Sequence, residues 1–193
     1  MSPKDGELIQ RIIHSDLSAF DELFDKYRDS VYRFAFYLTQ NKTEADDLFQ
    51  ETWLRVVKYL PTSLKIRDFK AWIITIVVNT HRDELRKKKV RKIFSPLRFS
   101  ESNQEKNYLD KLDFEKESTI INEADRVEIG MALDRAISAL PLKERSVFIL
   151  KEIEGLKHAE IGEVLNTPVG TIKSLLHKAM KKLQQELSEF REG

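Results

Sequence analysis

The chain has 193 residues, 41% of them hydrophobic and 34% charged, with six Gly, five Pro, no Cys and a formal net charge of +1. That length allows two small domains or one medium one, and the composition is helix-rich and globular rather than disordered or fibrous. The lack of cysteine excludes disulfides, thiolate catalysis and cysteine-ligated zinc together, and is compatible with a reducing compartment.

The opening "MSPKDGELIQ" has no apolar core of the signal-peptide kind, so no signal peptide is expected. The longest apolar run, "AWIITIVV", is far shorter than the roughly 20 residues that cross a bilayer. A cytoplasmic protein without membrane insertion is expected. The near-zero net charge conceals segregation. Residues 82–98 hold eight bases against two acids, and residues 101–125 hold eight acids against three bases. Separation on this scale predicts different partners for different segments.

In chain order, the first predicted helix runs from Leu17 to Leu38, with Phe20, Leu23, Phe24, Tyr27, Val31, Phe34 and Leu38 at helical spacing. "QNKTEADD" breaks and restarts the chain, with Thr43 as a candidate N-cap and acids suited to the positive end of a helix dipole. That second helix is expected to end near Leu60, before Pro61. A third, from about Phe69 to Lys89, carries Phe69, Ile73, Ile76, Val77 and Thr80 on its inner face. Residues 91–126 lose periodicity and read as an acidic flexible linker, with a weak helical turn near "YLDKLDF". Order returns with Ile129, Leu133, Ile137 and Leu140, followed by helical segments at about 143–153, 158–165 and 168–188. No strand-like alternation occurs. The fold class is all-α, with helical domains at 1–90 and 127–193.

The last segments, joined by "EGLKH" and "NTPVG", have the form of a helix-turn-helix. Thr167 is a candidate cap and Pro168 fits a first turn. On the final helix Val169, Ile172, Leu176, Ala179, Met180 and Leu183 gather on one side. Gly170, Ser174, His177, Lys178 and Lys181 lie opposite, flanked by Thr171, Lys173 and Lys182. An apolar face packed on the preceding helices leaves hydroxyls and lysines for a major groove and its phosphates. A solvated basic helix in a bundle fits the same pattern, whereas a membrane-surface helix lacks its Trp and Phe anchors. On the third helix Trp72, Thr75, Asn79, Arg82 and Arg86 form a stripe able to stack on an unpaired base and hold its backbone, with Lys87 and Lys88 adding charge. Trp72 fits a core position equally well. The second helix combines Asp46, Asp47, Gln50, Glu51 and Arg55 with the apolar Leu48 and Leu54, a mixed face for a protein partner. No histidine lies near these acids at ligand spacing, so no metal is expected there.

Two stretches carry a family resemblance. "EADDLFQETWLRVVKYL" followed by "FKAWIITIVVNTHRDELRKKK" resembles region two of the extracytoplasmic-function (ECF) group of bacterial RNA polymerase sigma factors. "ALPLKERSVFILKEIEGLKHAEIGEVLNTPVGTIKSLLHKAMKKL" resembles region four of the same group. The resemblance covers about residues 20–89 and 127–187. It implies a promoter-specific initiation factor without catalytic residues or cofactor, with core RNA polymerase and promoter DNA as partners and an anti-sigma factor as regulator. The helix with Asp46, Asp47, Leu48, Gln50, Glu51, Leu54 and Arg55 would dock on core polymerase. The Trp72–Lys88 stripe, with the loop Pro61 to Asp68, would take a base from the melted minus-ten element. Gly170, Thr171, Lys173, Ser174, His177, Lys178 and Lys181 would read the minus-thirty-five duplex.

Val78 and Leu175 depart from the family pattern, standing where basic residues are usual. Lys157 replaces a small hydroxyl cap and Gly162 a helix alanine, each costing about 1 kcal/mol by propensity. The alternatives are a free-standing helix-turn-helix regulator with an N-terminal dimerisation or sensing domain, and an enzyme. For the latter His14, His81, His158 and His177 are scattered without nucleophile pairing or metal spacing.

Overall fold

The computed structural model describes residues 3–63, 66–94 and 123–192, and among these the chain forms eight α-helices. They are α1 (Pro3–Ile13), α2 (Leu17–Thr39), α3 (Lys42–Tyr59), α4 (Phe69–Phe94), α5 (Glu123–Ala139), α6 (Leu142–Phe148), α7 (His158–Leu165) and α8 (Val169–Glu192). No strand occurs among the described residues. Most of the span read as a linker, with its expected turn at "YLDKLDF", lies outside the described residues. The helices flanking it reach Phe94 on one side and begin at Glu123 on the other.

The N-terminal helices pack as the 3.6-residue period dictates. Leu23, Val31 and Phe34 of α2, Leu48 and Val56 of α3, and Phe69, Ile73 and Val77 of α4 are all fully buried. Ile76, expected beside them, is only half-buried. Phe20, Phe24, Phe49 and Trp53 join α2 to α3 as a cluster of rings, with Phe24 and Trp53 centroids 4.7 Å apart. Helix α1 was not anticipated from the sequence. Its Leu8 and Ile9 are buried, and Asp5, 3% exposed, accepts a 2.8 Å hydrogen bond from the Tyr27 hydroxyl and pairs with Lys26.

Helix ends correct two expectations. Asn41, not Thr43, caps α3, its side-chain oxygen accepting from the Glu44 N–H at 3.0 Å. Thr167 does not cap α8: its hydroxyl donates to the Leu165 carbonyl, and the Pro168 carbonyl accepts the first helical bonds from Thr171 and Ile172.

The C-terminal helices close a second set of contacts. Ile137, Leu140, Val147, Ile149, Leu150, Ile161, Ile172, Ala179 and Leu183 are buried, while Val169 and Met180, expected inside, remain about 40% exposed. Arg145, 6% exposed, donates to the carbonyls of Ser138 and Leu140 and so closes the end of α5; burial lowers its pKa. After α6 the chain widens into one π turn, Ile149–Ile153, where the Glu154 N–H bonds the Ile149 carbonyl at 2.9 Å. Gly155 follows at φ +71°, in the left-handed region.

Candidate nucleic-acid interface

Helix α8 turns its charged side outward. Gly170, Thr171, Lys173, Ser174, His177, Lys178 and Lys181 are all exposed, so the seven residues expected on the duplex-reading side share one accessible surface. Lys182, on the flank, pairs instead with Glu144 of α6 at 2.8 Å and fixes the helix to its support. Leu175 is half-buried against the core, at the edge of the apolar face.

The turn before α8 is tight. Asn166 ends α7 in the left-handed conformation (φ 50°), and the Thr167 N–H donates to the Gly162 carbonyl at 2.9 Å. A Cβ on Gly162 would stand 2.9 Å from the Thr167 carbonyl oxygen, closer than real contacts allow. Glycine there is therefore demanded by the turn, and its reading as a mere propensity loss is corrected. At Gly170 a Cβ would meet nothing within 4 Å, which leaves open space over the helix start. Lys157 begins α7 without a side-chain cap, since an ammonium cannot accept a hydrogen bond. Glu160 compensates by accepting the Lys157 N–H at 2.7 Å, half of a capping box.

On α4 the expected single-strand stripe divides. Asn79 and Arg86 are exposed, and Arg86 lies 3.4 Å from Asp83. Thr75 is half-buried and donates to the Ala71 carbonyl. Trp72 is half-buried too, its ring 5.6 Å from that of Phe69. Arg82 is exposed but committed: it donates to the Leu165 carbonyl of α7 at 2.8 Å. Lys87 is exposed, and Lys88 pairs with Glu44 of α3. Part of the loop Pro61 to Asp68 lies outside the described residues.

Helix α3 carries a third surface. Asp47, Gln50, Glu51, Leu54 and Arg55 line one open groove with Glu84 and Lys87 of α4. Arg55 bonds Glu51 at 2.8 Å and Asp83 at 3.1 Å, bridging the two helices. Glu84 has its pKa raised, first by burial and also by the negative charges of Asp47 and Glu44. Leu54 and Val57, 66% and 54% exposed, add an apolar strip that nothing among the described residues covers. Two of the expected docking residues do not face out. Leu48 is fully buried, and Asp46 accepts from the Tyr32 hydroxyl at 2.9 Å, which with burial pushes the Tyr32 pKa up to about 12. Asp46 is thus turned toward α2, while Leu48 belongs to the buried core. Glu84 and Val57 are members of this surface missed in the sequence; the i, i+3 spacing of Leu54 and Val57 was the available signal.

Among the described residues, no group of three or more His, Asp or Glu side chains is placed to hold a metal, and no helix is long and apolar enough to cross a membrane. Comparison with known proteins gives these surfaces a family. Residues 23–91 match the family described as "Sigma-70 region 2", and residues 130–183 match "Sigma-70, region 4". The ECF RNA polymerase sigma factor SigW of Bacillus subtilis is 29% identical over 94% of this chain and 96% of its own length. In fold, the chain resembles the sigma factor RpoE solved with the anti-sigma factor NepR from Bartonella quintana. The TM-score is 0.67 at 22% identity, covering 88% of this chain and 96% of that one. It also resembles CnrH solved with the cytosolic domain of CnrY, with TM-score 0.65 at 20% identity, covering 97% and 99%. With both regions present in order across the α1–α4 and α5–α8 halves, the chain belongs to the ECF group of RNA polymerase sigma factors.

Proposed function

We propose that the chain is a dissociable initiation subunit that brings core RNA polymerase to a bipartite promoter, with domains at 1–90 and 127–193 joined by the acidic segment 91–126. The observation that carries this reading is the presence on one polypeptide of two separate DNA-suited surfaces. One is the exposed hydroxyl-and-lysine side of α8, the other the Trp72, Asn79, Arg82 and Arg86 side of α4. The α8 surface suits duplex phosphates and base edges in a major groove; Lys173, Lys178 and Lys181 hold the backbone while Ser174 and His177 reach inward. The α4 surface suits an unpaired base of the minus-ten element, which stacks on the exposed part of the Trp72 ring and hydrogen-bonds Asn79.

The α3 groove of Asp47, Gln50, Glu51, Leu54 and Arg55 is the docking site for core polymerase, its uncovered apolar strip ringed by charge. The factor acts in the cytoplasm, supplies no catalytic residue and needs no cofactor. Structural neighbours were solved with anti-sigma factors, and a partner of that kind is proposed here, covering the α3 groove.

In-vitro transcription tests the reading: purified core polymerase on a library of promoter fragments, with and without the protein. Discrete transcripts that require the protein are expected. Their absence, together with tight binding to intact duplex and no co-elution with core, would identify a free-standing helix-turn-helix regulator instead.

A further inference from the structure

Asp5 of α1 is a buried acid to which the promoter reading gives no task. It is 3% exposed, and a carboxylate so far from water is costly unless its oxygens are matched. Here both oxygens are matched. Lys26 of α2, whose own side chain is partly exposed, pairs with one, and the Tyr27 hydroxyl donates to the other at 2.8 Å. The Lys26 ammonium also lies 5.2 Å from the centre of the Tyr27 ring. Tyr27 is itself buried, so it is held at its hydroxyl end as well as along its ring. A phenylalanine would fill the same space and need no partner. The hydroxyl and its buried acid therefore fix where the ring points.

The ring points at the start of α4. Its centroid lies 5.1 Å from that of Phe69, tilted by 52°, and the Phe69 ring lies 5.6 Å from that of Trp72, tilted by 38°. Phe69 is fully buried and Trp72 half-buried. Asp5, Tyr27, Phe69 and Trp72 thus run in a row from α1 through α2 to the stacking residue of α4. The backbone beside the row is closed as well. Asp68 caps α4, its side chain accepting from the Ala71 N–H at 2.9 Å while its carbonyl accepts from the Trp72 N–H at 3.0 Å. Burial first, then the hydrogen bond to Asp5 and the charges of Asp5 and Asp68, raise the Tyr27 pKa, so the cap of α4 lies within electrostatic reach of the same hydroxyl. Helix α1 also packs on the 3₁₀ turn Leu60–Thr62, where the loop Pro61 to Asp68 begins.

We infer that Asp5 and Tyr27 are positioning residues for capture of the minus-ten base: the acid pins the Tyr27 hydroxyl, the Tyr27 ring seats Phe69, and Phe69 sets how the Trp72 ring is presented to the strand. What Trp72 is presented to rests on the promoter reading. Neither Asp5 nor Tyr27 touches DNA; both act through Trp72. A stacking platform accepts any base, so its strength depends on the depth and tilt of the ring. Such a ring has to be held to about half an ångström by the side chains behind it. A Tyr27 ring free to slide would loosen the last member of the row and leave its chemistry intact.

The test uses holoenzyme, reconstituted from core polymerase and the full chain, and a fluorescent single strand carrying the minus-ten element of a promoter that it transcribes. Tyr27→Phe removes the hydroxyl and keeps the ring. Its affinity for that strand should fall about three- to tenfold, the range of one hydrogen bond, while binding of minus-thirty-five duplex is unchanged. Asp5→Ala should lose as much, and Asp5→Asn, which still accepts from the hydroxyl, should recover most of it. The double variant Asp5→Ala with Tyr27→Phe should lose no more than either alone. A second readout needs no DNA. Labelled with fluorotryptophan, the chain gives two fluorine resonances, from Trp53 and Trp72. Trp72 should shift in Tyr27→Phe, whereas Trp53, packed among Phe20, Phe24 and Phe49, should not. Should Asp5→Ala unfold, Tyr27→Phe decides alone. Unchanged strand affinity in Tyr27→Phe overturns the positioning role, as does an equal loss on strand and duplex or an equal shift of both resonances. A wild-type holoenzyme that binds no minus-ten strand and makes no transcript would defeat the promoter reading itself, and the positioning role with it.

Discussion

At Gly162 two small energies oppose each other, and the contact decides the sign. Alanine in a helix interior is worth roughly 1 kcal/mol over glycine. The added methyl would stand 2.9 Å from the Thr167 carbonyl, a backbone atom that cannot swing aside, and forcing the turn open costs about 1–3 kcal/mol. Gly162→Ala is therefore expected to lower the unfolding free energy measured in denaturant, and a stabilised variant would show that the turn relaxes freely. His81 is a second residue-scale case. On α4 it is 7% exposed, and burial lowers its pKa from 6.5, against the favourable charge of Glu44 and with the unfavourable one of Lys88. As the pH falls from about 6.5, the unfolded chain takes up a proton there before the native chain does, so native stability declines. Melting temperature against pH should show that decline, and His81→Gln should flatten it. Neither effect was readable in the sequence, because both depend on which atoms lie across a turn or between two helices.

Among the elements, α3 offers a direct test of how a helix start is specified. "NKTEADD" presents two residues able to cap, Asn41 and Thr43, and only the former makes the hydrogen bond. Asn41→Ala should cost about 1 kcal/mol, while Thr43→Ala, at an exposed position inside the first turn, should stay within about 0.5 kcal/mol. Equal losses would mean that the two caps exchange. Periodicity located α2, α3 and α6 to α8 to within a few residues because each has one dominant buried stripe. Helix α1 was missed although Leu8, Ile9 and Ile12 repeat at helical spacing, since its eleven residues hold little more than one apolar turn. Helix α4 was only two-thirds legible. Its core stripe was distinct in the sequence, but Ile74 was not singled out there and Val78 was read only as a departure from the family pattern. A helix buried on two sides leaves no polar gap to mark where one neighbour ends and the next begins.

For the whole molecule the charge distribution matters more than its sum. The net charge of +1 predicts almost no attraction to DNA, yet Lys173, Lys178 and Lys181 share one exposed side of α8. Lys178→Ala and Lys181→Ala should each weaken minus-thirty-five duplex binding about equally across sequences and reduce the slope of log affinity against log salt by about one. An unchanged slope would place those lysines toward solvent in the complex. The exposure of the seven α8 residues was legible because surface helices sort their residues by face. The α3 surface was legible only in part: Leu48 is buried in the core and Asp46 turns toward Tyr32 of α2, and a mixed polar and apolar sequence does not say which acid is spent internally.

The commitment of Arg82 to the Leu165 carbonyl also bears on how the cations of a helix are counted. Part of its guanidinium fork is spent on the α7 backbone, so in this state Arg82 offers an anionic partner fewer donors than the sequence suggests. The same holds for Lys88, paired with Glu44, and for Lys182, paired with Glu144. A basic stretch read from sequence thus gives an upper bound on the charge free to meet a partner, and the fold decides how much of it remains.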